Sequence, residues 1–193
     1  MTMRLFARSA PPRVPSMPIA QAIRPAGADP VWRWVCPRHI ALDVDVRGRR
    51  DALSAIASLC AEAHDLPPAP LLRALWRREQ AGSTALGHGV AIPHARIDHI
   101  EQPLTLFVRT RVPVAFGAPD GQAVSDLYAI LVPMVSDHDA HLTLLARIAE
   151  MFSDPELRVR VTTASTPAVA HSIFADWVVR RMQDPLTPKT ARR

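Results

Sequence analysis

Cysteine is nearly absent from this 193-residue chain: Cys36 and Cys60 are the only two. Two cysteines cannot form the disulfide framework of a small secreted domain, so a reducing, cytoplasmic compartment is expected. Long apolar runs are missing as well, and nothing approaches the roughly 18 consecutive apolar residues of a membrane span. The first residues include Arg4, Arg8 and Arg13, but Pro11, Pro12 and Pro15 stand where a secretory apolar core would lie. That pattern argues against a signal peptide. The chain has no internal repeat, no Walker phosphate loop, no Gly-x-Gly-x-x-Gly and no Gly-x-Ser-x-Gly elbow. These absences exclude the common nucleotide loops and hydrolase chemistry at Ser83.

What is present is the balance of a globular protein: 48% hydrophobic and 21% charged residues, at a length sufficient for one domain. The net charge of +5 is unevenly placed. Residues 1–36 carry +4 and residues 180–193 another +4, which leaves about −3 for the body between them. A nucleic-acid footprint belongs on a folded face, and here the basic charge sits at the ends, so no nucleic-acid partner is expected. Seven prolines within residues 1–37, without apolar periodicity, predict a disordered Arg/Pro-rich extension over 1–35. Pro185 and Pro188 predict a flexible basic tail over 179–193, leaving a single domain at 36–178. Met17 is an alternative start to Met1.

Within that domain the hydrophobic period changes in a telling order. Alternation over His39–Val46 predicts a strand, followed by a helix capped by Asp51 with Leu53, Ile56, Leu59, Cys60 and Ala63 as its apolar stripe. Pro67, Pro68 and Pro70 end it and start a second helix to about Gln80, with Leu72, Leu75 and Trp76 inward. After a glycine-rich stretch, Gly82 to Gly89, strands are predicted at Val90–Ile92, Leu104–Arg109, Val112–Phe116 and Leu127–Val132, the last buried on both faces. Helices follow at about Asp139–Phe152, Pro155–Val161 and Pro167–Trp177, and Asp120-Gly121 reads as a turn. Helices alternating with strands, and adjacent strands in the middle, predict an α/β fold with a mixed sheet covered by helices.

The chemistry concentrates in Arg78-Glu-Gln-Ala-Gly-Ser-Thr-Ala-Leu-Gly-His-Gly-Val-Ala-Ile-Pro-His-Ala-Arg96. Pro93 stiffens the backbone that presents His94 at a strand end, where α/β proteins place reactive groups. A neutral imidazole is a good nucleophile near pH 7, and the flanking Arg78 and Arg96 suit a phosphate. His141 lies on the stripe His141, Leu145, Ile148, Phe152, which turns its ring inward at a helix N-terminus that favours an anion. On spacing alone, this is either a phosphoryl cradle or a pair of packed core histidines. A zinc site from His88, His94, His99 and Asp98 is the weaker reading, because the spacings run through glycine, proline and strand rather than along one helical face. Cys60 and Trp76 read as core.

The run Arg-Glu-x-x-Gly-Ser-Thr-x-x-Gly-x-Gly-x-Ala-Ile-Pro-His, followed about 45 residues later by His-Leu-x-x-Leu, resembles the IIA domain of the bacterial phosphotransferase system (PTS). The likeness is to the fructose/mannitol type (EIIA type-2), above all its stand-alone nitrogen-regulatory, PtsN-like form, and spans about residues 36–177. It implies a mixed sheet sandwiched by helices. It also implies that His94 accepts a phosphoryl group from the phosphohistidine of HPr or its nitrogen-branch equivalent, with His141 and Arg78 holding the phosphoryl oxygens and orienting the ring, and with no metal or cofactor.

Two departures stand out: Ala85-Leu86 where the family reads Gly-Ile, and Ala95 where glycine commonly follows the histidine. If residue 95 needs φ > 0, alanine is strained there. Three roles remain open. One is a regulator whose phosphorylation state sets its binding to target proteins, such as a kinase or potassium-uptake component by family analogy. The second is a transport component passing the phosphoryl group to a IIB domain, which is transferase chemistry. The third is a binding module that has lost phosphorylation, against which both histidines argue.

Overall fold

The computed structural model describes residues 37–183. The expected extension over 1–35, Cys36, and residues 184–193 of the tail expected over 179–193 lie outside the described residues, while residues 179–183 of that expected tail are helical. A 3-10 turn at Pro37–His39 leads into β1 (Ile40–Val44), α1 (Arg49–His64) and α2 (Pro68–Gln80). Five strands follow: β2 (Ala85–Gly87), β3 (Val90–Ala91), β4 (His94–Ile97), β5 (Leu104–Val114) and β6 (Val124–Pro133). The chain then forms α3 (His138–Ser153), α4 (Pro155–Thr162) and α5 (Pro167–Gln183).

The strands make one six-stranded mixed sheet in the order β1-β5-β6-β3-β2, with β4 also paired to β6. β5 runs antiparallel to β6, and β3 and β4 lie one after the other parallel to it. β6 is the spine. Its Leu127, Ala129 and Leu131 pack with Leu53, Ile56, Leu71 and Leu75 of α1 and α2. Its Tyr128, Ile130 and Val132 pack with Ile148, Phe152 and Phe174 of α3 and α5. Every residue of Leu127–Val132 is buried, as the unbroken apolar run predicts. The expected mixed sheet between helical layers is the architecture observed.

The differences have local causes. α1 starts at Arg49 with Gly48 as its N-cap, so Asp51 is not the cap; its carboxylate sits in the first turn and accepts the Arg47 N–H at 2.9 Å. The buried stripe of α1 runs through Leu53, Ile56, Ala57, Cys60 and Ala61, which turns Ala63 outward. Burial pushes the Cys60 thiol up to about 12, leaving it an unreactive core group. In α2, Leu72 and Trp76 are half-buried rather than core, and the Arg50 guanidinium lies 5.5 Å from the Trp76 ring centre. The two strands expected between Leu104 and Phe116 are one, β5, whose register on β6 shifts between Arg109 and Val114. Pro113 has no N–H to give a ladder and falls in that irregular stretch. α5 continues past Trp177 to Gln183, where Arg181 ion-pairs with Glu150 of α3.

Arg109, at the end of an apolar strand pattern, is buried. Its Nη1 donates to the carbonyls of Thr162 (2.8 Å) and Ala164 (2.7 Å), and its Nη2 meets Asp43 Oδ1 at 3.0 Å. The guanidinium thereby satisfies carbonyls that the end of α4 would otherwise leave unpaired in the interior.

Candidate functional site

The last turn of α2 delivers Arg78 and Glu79 on different faces. Glu79 is buried. Its Oε2 accepts the Thr84 N–H (3.1 Å) and hydroxyl (2.6 Å), while its Oε1 lies 3.5 Å from Arg49 Nη1. The Thr84 carbonyl in turn accepts the Ile92 N–H at 2.9 Å, and the Ser83 hydroxyl donates to the Phe116 carbonyl at 2.7 Å. One carboxylate therefore fixes the helix end, the Gly82–Thr84 loop and the segment entering β4. Glu79→Ala leaves the two Thr84 donors without their acceptor and takes the ion pair from Arg49, whose Nη1 among the described residues keeps only the Phe116 carbonyl at 3.4 Å. Unfolding by denaturant should show a loss of about 2–4 kcal/mol.

Glycine is needed at one turn here. Gly87 has φ +97, and a Cβ on it would approach Asp120 Oδ2 to 2.9 Å. That same carboxylate accepts the His88 N–H at 2.7 Å and holds His88 in the left-handed region (φ 53). His88 is a turn residue with an exposed side chain.

His94 opens β4 rather than closing the strand before it. Ala95 and Ile97 point into the α1–α2 layer, so the pleat sends His94 and Arg96 toward α3. Ala95 is not among the positive-φ residues of the described chain, so alanine at that position is unstrained.

The His94 ring is fixed through both nitrogens. Nδ1 lies 2.8 Å from the Ile92 carbonyl, and Nε2 lies 3.0 Å from Arg78 Nε. A carbonyl can only accept and a guanidinium can only donate. The tautomer is therefore assigned by its partners: Nδ1 carries the proton and Nε2 offers its lone pair. Arg78 is itself held by an Nη1 bond to the Gly82 carbonyl at 2.8 Å.

The His141 ring centre stands 5.6 Å from that of His94, tilted by 53°, and its Nδ1 is buried without a hydrogen-bond partner. The structure thus brings His94, His141 and Arg78 together. The helix N-terminus differs from expectation. α3 opens at His138, one turn before His141, and its Asp137 cap accepts the Asp139 N–H at 3.2 Å, while the His141 N–H is taken by the Asp137 carbonyl. A carboxylate already occupies the place assigned to an anion, so the positive charge of the site comes from side chains. Leu142, beside His141, is exposed.

Arg96 contributes more than its sequence neighbourhood suggests. Its Nη1 donates to the carbonyls of Met134 (3.1 Å) and Ser136 (2.9 Å), and its Nη2 lies 3.4 Å from His138 Nδ1. It ties β4, which carries His94, to the loop before α3, which carries His141. The sequence offers Arg96 only as a phosphate-suited cation beside His94, whereas its bonds make it a tie to the loop before α3. Glu79 has no role assigned from sequence, and its signal is a carboxylate beside Arg78 with Thr84 five residues on.

Both histidines are less basic than free imidazole. Burial lowers His94 most, and the nearby Arg78 charge adds to this against the opposing Ile92 hydrogen bond. Burial lowers His141 to about 4, with the charges of His94, Arg96, His138 and Arg78 behind it. Both rings are therefore neutral at pH 7. The unfolded chain takes up protons from about pH 6.5 downward before the folded one does, so their contribution to stability is lost as pH falls from 6.5 toward 4. Imidazole NMR titration should find His94 with its midpoint below 6.5 and His141 near 4.

His99 is exposed in the turn after β4, and among the described residues no group of three or more His, Cys, Asp or Glu is placed to hold a metal ion. What converges is one neutral nucleophilic nitrogen, a second neutral imidazole and a guanidinium. That set can accept an electrophilic anionic group such as a phosphoryl.

Among the described residues no helix is long and apolar enough to cross a membrane. Comparison with known proteins agrees with the geometry. A nitrogen regulatory protein of Bradyrhizobium diazoefficiens is 32% identical over 146 residues, 76% of this chain and 95% of that protein. Another, from Escherichia coli, is 33% identical over 69% of this chain and 82% of its own. The crystal structure of nitrogen regulatory protein IIA-Ntr from Neisseria meningitidis superposes with a TM-score of 0.69 at 35% identity, covering 74% of this chain and 97% of that one. Residues 35–177 match the family described as "Phosphoenolpyruvate-dependent sugar phosphotransferase system, EIIA 2", and the chain belongs to it.

Proposed function

We propose that the protein is a cytoplasmic phosphoryl carrier whose His94 Nε2 accepts a phosphoryl group from a phosphohistidine on an HPr-like partner, and that it serves as a regulator. The observation that carries the reading is the pairing of Nε2 with Arg78 Nε at 3.0 Å, which puts the nucleophilic lone pair and the phosphate-binding cation at one point. In the transfer, the Nε2 lone pair forms a new N–P bond in line with the donor N–P bond. That bond breaks, and its electron pair returns to the donor imidazole. No proton has to leave His94: Nδ1–H stays on the Ile92 carbonyl, which supports the positive charge the ring gains. Arg78 moves its hydrogen bonds from the nitrogen to the arriving phosphoryl oxygens. Positioning and charge stabilisation supply most of the acceleration, because the loose transition state needs little else.

His141 stays neutral and contributes an N–H rather than a charge. Its buried Nδ1 leaves Nε2 as the nitrogen that meets a phosphoryl oxygen. Arg49, Glu79 and Thr84 keep Arg78 in place, and Arg96 keeps His141 in place.

The regulatory role is supported by similarity to nitrogen regulatory proteins along most of their length. Phosphorylation adds about −1.5 to −2 charges at the site, so target proteins should distinguish the two states. Affinity capture with phosphorylated and unphosphorylated protein should recover different non-transport proteins. Rapid passage of the phosphoryl group to a IIB domain of the same cell, with sugar-dependent dephosphorylation, would replace the regulator by a transport component.

A further inference from the structure

Beside the His94 site, α2 and β4 border an open groove of about 720 Å³. Its floor is apolar, with Leu71, Ile97 and Met134. Its rim carries Arg73, Arg77 and Arg96, against one carboxylate, Asp98. Arg73 and Arg77 lie one helical turn apart, are exposed, and pair with no carboxylate among the described residues. This contrasts with Arg111, Arg147, Arg160 and Arg180, each of which is ion-paired. The unneutralised cations sit on a body whose net charge is about −3.

We propose that this groove docks an acidic amphipathic segment of a partner protein, and docks it more tightly when His94 carries no phosphoryl group. An apolar floor with a mostly cationic rim, three arginines to one carboxylate, is the arrangement that receives the apolar face of a helix or extended segment flanked by negative charge. A small anion would instead be enclosed on most sides. The chain's own ends do not fit, since residues 1–36 and 180–193 each carry +4 and are repelled by the rim.

The coupling rests on the reading of His94 given above. Ile97, on the groove floor with its side chain on the other face of the strand, is three residues along β4 from His94, about 10 Å along the backbone at strand spacing. That is close to one Debye length in physiological salt. A phosphoryl group on His94 therefore sets like charge against an acidic occupant, and Arg96, on the groove wall and tied to the loop before α3, links the two places.

The test selects binders from a random twelve-residue peptide library on the immobilised full chain. The enriched peptides are then synthesised and their affinities measured. Peptides combining Asp or Glu with Leu, Ile or Phe are expected, and their affinity should fall about tenfold or more in Arg73→Glu/Arg77→Glu. Arg180→Glu, on α5, should bind them normally, and the groove variant should still take up phosphoryl groups. Enrichment of basic or neutral peptides, no enrichment, or equal binding to the groove variant would overturn the docking site. Phosphorylated protein should bind the acidic peptides severalfold more weakly; equal affinity in both states would overturn the coupling. Failure of His94 to be phosphorylated at all would strike the carrier reading and leave the groove result standing.

Discussion

Replacing His94 by alanine is expected to abolish phosphorylation by a phosphorylated HPr-like carrier. Wild-type protein should acquire one phosphoryl group, labile in acid and stable in base as an N–P bond is, and His94→Ala none. The size of the effect follows from the site. His141, the nearest alternative, keeps Nδ1 buried and has no direct bond to Arg78, so it cannot inherit the reaction. His88, His99 and His138 are exposed and unsupported by a positioned guanidinium and a carbonyl acting together. The fold should survive, because the half-buried His94 ring sits over β4 while Ala95 and Ile97 anchor the strand. Mass spectrometry of labelled peptides checks the claim, and label retained in His94→Ala contradicts it.

The second large effect is at the groups around the acceptor. His141→Ala should slow transfer by about 10²–10³ while leaving the melting temperature close to wild type, since one preorganised donor aimed at developing charge is worth that much. Arg78→Lys should cost a similar factor. A lysine carries the charge but not the planar fork that bonds Nε2 and the Gly82 carbonyl together. Single-turnover rates with a saturating phosphorylated carrier separate these from docking defects. An unchanged rate in His141→Ala would reduce that ring to packing.

The long elements were legible because each repeats its signal several times. α1, α2, α3 and the doubly buried β6 all follow from period and proline placement. β2 and β4, at three and four residues, are too short to show a period, and they exist because β6 and β3 lend them hydrogen bonds. The Asp51 cap failed because an acidic residue in the first turn serves as well within the helix as at its cap, and Gly48 took the capping place. The site was legible to the extent that its groups are chemically rare: His94 after Ile92-Pro93, His141 on an inward stripe, Arg78 at a helix end. Its geometry was not. Nothing in the spacing tells which nitrogen of His94 bears the proton, because that depends on the Ile92 carbonyl and on Arg78 arriving from another helix. Glu79 was equally hidden, since a glutamate beside an arginine near a helix end reads as solvated until Thr84 folds back onto it.

The assignment of the reacting nitrogen tests the account most directly. Protein labelled with 15N in its histidines and phosphorylated by its carrier should give, by 31P–15N NMR, a single phosphohistidine at His94 with phosphorus bonded to Nε2 and Nδ1 still protonated. Phosphorus on Nδ1 of His94, or on any other histidine, would contradict it.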